Sequence, residues 1–131
     1  MNGWLPSVTP NMLSCQLAIK KGRIIIANKQ TAGHDQLGAF APQFAHFNDD
    51  VLFGEVWADE DSLSPRDRSF LTVTALITKG AFEQLPYHLR VAKQNGITQP
   101  EIAAMITQLA FYVGWPNAWS AFNLAKEIWA D

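Results

Sequence analysis

The stretch from Thr98 to Val113 leaves the backbone little choice. Thr98 and Glu101 form the T-x-x-E pattern, in which a hydroxyl and a carboxylate satisfy backbone N–H groups at a helix start. Behind it Ile102, Met105, Ile106, Leu109, Ala110 and Val113 recur at i, i+3, i+4, i+7, i+8 and i+11, which is one apolar stripe of an α-helix. Gly114-Trp115-Pro116 breaks this helix, and Ala118, Ala121, Phe122, Ala125 and Trp129 form the stripe of a last one, small residues alternating with large ones.

The same punctuation extends upstream. Ser64 offers an N-cap hydroxyl, Pro65 a first-turn residue that needs no donor, and Asp67 an acid near the positive end of the dipole. Phe70, Val73, Leu76 and Ile77 line the buried face of that helix, and Gly80 is placed to end it in a left-handed conformation. A further helical stretch is expected over 82–94, with Leu85, Leu89 and Val91 apolar, Pro86 as a kink or first-turn residue and Gly96 as its stop. Pro42 fits the first turn of a helix carrying Phe44, Phe47, Val51 and Leu52 toward Phe53 and Trp57. From Gln36 onward no two-residue alternation lasts long enough for a sheet, so the body is read as all-α.

Residues 1–34 carry Lys20, Lys21, Arg23 and Lys29 and no acid, a balance of +4, and the remainder carries −6. With Pro6, Pro10, Gly22 and Gly33 and no helical period, 1–27 is expected to be an arm and 28–131 the domain; Ile24, Ile25 and Ile26 suit a short strand or a partner's groove. The overall charge of −2 supplies no basic field for nucleic acid. The apolar run Leu109 to Val113 is far short of the roughly 18 residues that span a bilayer. Cys15 is alone, so an intrachain disulfide, a CxxC pair and a cysteine zinc cluster all fall away, and a reducing cytoplasm is expected. Lys20, Lys21 and Arg23 follow a weakly apolar stretch, the reverse of a signal peptide's order.

His34, His46 and His88 are the side chains whose ordinary pKa lies nearest neutrality. His34 and His46 show no metal-ligand spacing, and no metal is expected. Gln84, at i−4, is the nearest local partner of His88. Arg66 and Arg68 open the preceding helix and Tyr112 and Trp115 close the following one, an arrangement that surrounds one pocket if the helices pack antiparallel. Phe111, Tyr112, Trp115 and Trp119 suit a core or subunit interface as well as a ligand box. No nucleophile elbow, phosphate loop, EF-hand or HExxH is present.

Three segments, LSPRDRSFLTVTALITKG, QLPYHLRVAKQNGITQPEI and AFYVGWPNAWSAFNLAKE, in this order and spacing and with GAFAPQFAHFNDDVLFGEVW before them, resemble the carboxymuconolactone decarboxylase family of the alkyl hydroperoxidase D-like superfamily. The resemblance implies an all-helical subunit with a helical hairpin core that assembles into homo-oligomers, trimers or hexamers. It also implies two branches, a lactone decarboxylase and a thiol-dependent hydroperoxidase. The thiol branch has CxxC seven and four residues before the histidine; here those positions are Ala81 and Gln84, so no thiolate is available for the peroxide chemistry. The decarboxylase branch has ELxxH, and this chain has QLPYH, keeping His88, replacing the carboxylate by Gln84 and placing Glu83 alongside. Ala104 stands where many members have Glu.

The roles implied are cofactor-free. When the lactone's carboxylate departs, its electron pair enters the conjugated ring, negative charge develops on oxygen, and a carbon is then protonated. His88 would give the proton, with Gln84 or Tyr112 hydrogen-bonding the oxyanion and Arg66 or Arg68 holding a carboxylate; Glu83 and Trp115 would complete the substrate contacts. The partner is a small molecule, neither nucleic acid nor membrane. Gln84 and Ala104 motivate a second reading, an oligomeric small-molecule-binding or scaffold protein of the same fold.

Overall fold

The structure is a computed structural model that describes residues 15–20 and 23–130, with side chains from Lys29 onward. Pro6, Pro10, Lys21 and Gly22 lie outside the described residues. The backbone divides into two units, one ending at Glu60 and one beginning at Asp61.

The first unit opens with an antiparallel ribbon of β1 (Cys15–Lys20) and β2 (Arg23–Asn28), in register from Cys15 opposite Asn28 to Lys20 opposite Arg23. Of the two readings of Ile24–Ile26, a short strand or a segment for a partner's groove, the backbone takes the strand, as part of β2. Two short helices follow, α1 (Ala32–Leu37) and α2 (Pro42–His46), and α2 runs into a π-helix over Phe47–Val56. The α-helical spacing anticipated from Phe44 to Leu52 is thus widened: Trp57 N–H donates to Leu52 C=O at 2.9 Å, an i→i−5 bond. Phe44, Phe47 and Leu52 are exposed. Asp49, fully buried, accepts from the Gly33 and His34 N–H groups at 2.9 and 2.8 Å and from Asn48 Nδ2 at 2.8 Å. It caps α1 from a distant element, because Thr31, at the N-cap position, makes no side-chain cap bond.

The second unit is four helices, α3 (Pro65–Lys79), α4 (Leu85–Gln94), α5 (Gln99–Val113) and α6 (Trp115–Ile128). Side chains cap the starts of α3 and α5. Ser64 Oγ accepts from Asp67 N–H at 3.0 Å, and the Thr98–Glu101 capping box is complete. Gly80 ends α3 at φ 68°, and Gly96 follows α4 at φ 91°. The start of α4 differs from the expected residue 82: Phe82, Glu83 and Gln84 form a turn, and Pro86 sits in the first helical turn, where its missing donor costs nothing. Val73, Ile77, Leu85, Leu89, Ile102, Ile106 and the alanines of α6 form one core, with α5 packed on α6 and α4 on both α3 and α6.

Side-chain-to-backbone bonds fix the helix ends. Asn95 Nδ2 reaches Pro65 C=O at 3.2 Å and the buried Ser69 Oγ at 3.0 Å, tying the end of α4 to the start of α3. Asn117 Nδ2 reaches Ile77 C=O at 3.1 Å, tying the start of α6 to the end of α3. From Ile102 to Ala125 the sequence contains no Asp, Glu, Lys, Arg or His. No described helix is long and apolar enough to cross a membrane.

Candidate active site

Leu85, His88, Leu89 and Ala92 are the buried residues of α4, at i, i+3, i+4 and i+7, so His88 occupies a place in the apolar stripe itself. It is 8% exposed, its Nδ1 is buried, and the Tyr87 ring meets the imidazole edge-on at 5.0 Å. Burial pushes the His88 pKa down from 6.5 to about 4, because a low-dielectric surrounding disfavours the charged form. At neutral pH the resting imidazole is therefore neutral.

The other expected site residues are not all brought to it. Gln84 is half-buried in the turn before α4, its N–H donating to Ala81 C=O, and among the described residues its amide makes no hydrogen bond to His88. Glu83, in the same turn, is exposed. Arg66 is committed elsewhere: its guanidinium pairs with Glu101 and lies over the Phe70 ring, 5.2 Å from the centroid. Glu101 is held below the usual carboxylate range by the Thr98 N–H first and Arg66 second. Arg68 is half-buried, with its Nε fully enclosed.

Tyr112 and Trp115 are exposed at the far end of α5. The eleven-residue separation from Glu101 to Tyr112 spans about 16 Å at 1.5 Å per residue, so Arg66, held at Glu101, and Tyr112 stand at opposite ends of α5. The pocket anticipated around all these residues is thereby divided between opposite ends of the helices.

A second constellation was invisible in the spacing of the histidines. Asp50 in the π-helix receives His46 Nδ1 at 2.8 Å, His34 Nε2 at 3.2 Å and Lys29 Nζ at 3.3 Å. These partners, His46 first, hold the Asp50 carboxyl down from 3.8 to about 2. The two histidines thus do share a carboxylate, although among the described residues no group of three or more His, Cys, Asp or Glu has the arrangement of a metal site.

A helical hairpin core carrying a buried imidazole, with no thiol seven or four residues before it, defines an all-α core suited to proton transfer and unsuited to CxxC thiol chemistry. Residues 42–127 match the Carboxymuconolactone decarboxylase family, and the chain belongs to that family. It is 31% identical over 97 residues to 4-carboxymuconolactone decarboxylase of Acinetobacter baylyi, covering 74% of this chain and 72% of that protein. It is also 35% identical over 79 residues to nitrosuccinic acid decarboxylase npaB of Metarhizium robertsii, covering 60% of this chain and 54% of that protein, about half its length.

Proposed function

We propose that this chain decarboxylates a small carboxylated lactone or a related acid without a cofactor, with His88 carrying the proton. The observation that supports this most directly is a buried imidazole within residues 42–127, which match the family, in a chain similar to two proteins named as decarboxylases. The C–C bond to the carboxylate breaks, CO₂ leaves, and the electron pair passes through the conjugated system to the carbonyl oxygen of the lactone, giving a dienolate. Protonation at carbon then returns the charge. A neutral imidazole is a poor acid, so His88 serves only once the bound substrate's negative charge has raised its pKa. Arg66 or Arg68 would hold a second carboxylate, and for Arg66 that means exchanging its pairing with Glu101. A cytoplasmic setting and a homo-oligomeric state belong to the same reading, the latter supported by large aromatic side chains left exposed on one subunit.

His88→Gln tests the reading. Turnover of a lactone carboxylic acid should vanish while far-UV circular dichroism stays native. Retained turnover would make His88 a packing residue in an active protein, whereas no turnover by the parent on any lactone carboxylic acid would favour the non-catalytic reading, for which Gln84 at the carboxylate position is the argument.

A further inference from the structure

We propose that the aromatic end of the α5–α6 hairpin is a two-fold interface with a second copy of this chain; this rests on the homo-oligomer reading above. Phe111 and Tyr112 close α5, Trp115 opens α6 and Trp119 lies one turn on, exposed by 80, 81, 58 and 63%. Gly114, at φ 97°, makes the tight reversal that brings them together, and Phe111 meets Trp115 edge-on at 6.2 Å. The surrounding exposed residues Thr107, Gln108 and Asn123 are polar without charge, and the hairpin from Ile102 to Ala125 has no ionisable side chain other than Tyr112.

That composition selects the occupant. From Ile102 to Ala125 the hairpin itself offers no cation to a carboxylated substrate and no charge to a charged partner protein, the exposed Lys79 at the end of α3 being the charge beside it. A copy of the same face offers aromatic surface against aromatic surface, with amides and hydroxyls at the rim to pair with each other. At roughly 150–250 Å² per aromatic side chain, the exposed fractions correspond to about 550 Å² on one copy and about 1,100 Å² on two, which clears the roughly 1,000 Å² that a specific interface requires. The first unit also exposes Phe40, Phe44 and Phe47, but Asp50 and His46 border that stripe, so it is not the charge-free complement of the hairpin. One patch meeting itself is an isologous contact, and the assembly must then hold an even number of subunits, a dimer or hexamer and not a trimer.

Light scattering on the full chain, on the double variant Phe111→Glu with Trp119→Glu, and on Phe44→Glu tests this. The parent should weigh an even multiple of 14.6 kDa. The double variant should fall to half that mass or less with unchanged far-UV circular dichroism, and Phe44→Glu should match the parent. Should the glutamates unfold the hairpin, Tyr112→Ala with Trp119→Ala should still shift dissociation to at least tenfold higher protein concentration. An oligomeric parent whose mass survives both double variants would refute the interface and leave the homo-oligomer reading standing; a parent of 14.6 kDa would end both. Dissociation by Phe44→Glu to the same mass as the double variant would replace the two-fold contact by a head-to-tail one.

Discussion

Leu85, His88, Leu89 and Ala92 share one buried face, and the imidazole there behaves as its neighbours require, by staying uncharged. Its folded pKa of about 4 lies below the ordinary 6.5, so between these values the unfolded chain binds more protons than the folded one. The contribution of His88 to stability is therefore full above about pH 6.5 and is lost as pH falls through 4. The kinetic consequence has the opposite sense. If imidazolium is the acid, kcat/KM, which reports the free protein, should fall about tenfold per pH unit above roughly 4 wherever the substrate is ionised. The kcat limb, which reports the complex, should break at higher pH because the bound anion raises the histidine's pKa. Coincident breaks in the two profiles would remove the substrate's charge from the mechanism. His88 was legible from its motif, but the state of its proton was not, because burial is set by residues from other helices.

At the scale of the element, legibility followed the distance between partners. The start of α5 was readable because Thr98 and Glu101 are three residues apart and satisfy one another. The apolar pattern sets the start of α4 three residues early, because Phe82 fits the pattern while its backbone turns. The π-helix has no signature of its own: Phe44, Phe47, Val51 and Leu52 suit an α-helical period, and i→i−5 bonding, as from Trp57 to Leu52, reveals the wider turn. Asp49 caps α1 across fifteen and sixteen residues, which no local pattern announces. Gly33 is the other half of that cap, since an added Cβ would stand 2.6 Å from Asp49 Oδ1 and 3.1 Å from Ala45 C=O. Gly33→Ala should displace the carboxylate and cost about 1–3 kcal/mol, read as a lower urea midpoint. Adding Asp49→Ala to it should cost much less than the two single losses together.

For the molecule as a whole, the family and the helical core were readable, whereas the gathering of site residues was not. Arg66 and Tyr112 both flank His88 in sequence order, yet Glu101, thirty-five residues from Arg66, draws the arginine to the opposite end of α5. The core that sets these distances is continuous through all four helices of the second unit. Ile106→Ala, at a fully buried position, should cost about 2–5 kcal/mol at an unchanged denaturant slope. The uncharged hairpin from Ile102 to Ala125 also bears on how the chain reaches this state. A newly made or denatured chain has, along that stretch, no like charges to hold neighbouring molecules apart, and its aromatic groups are then open to any other chain. Refolding yield should fall steeply as protein concentration rises, and a lysine placed at Gln108 should recover solubility before it changes the stability of the folded helix.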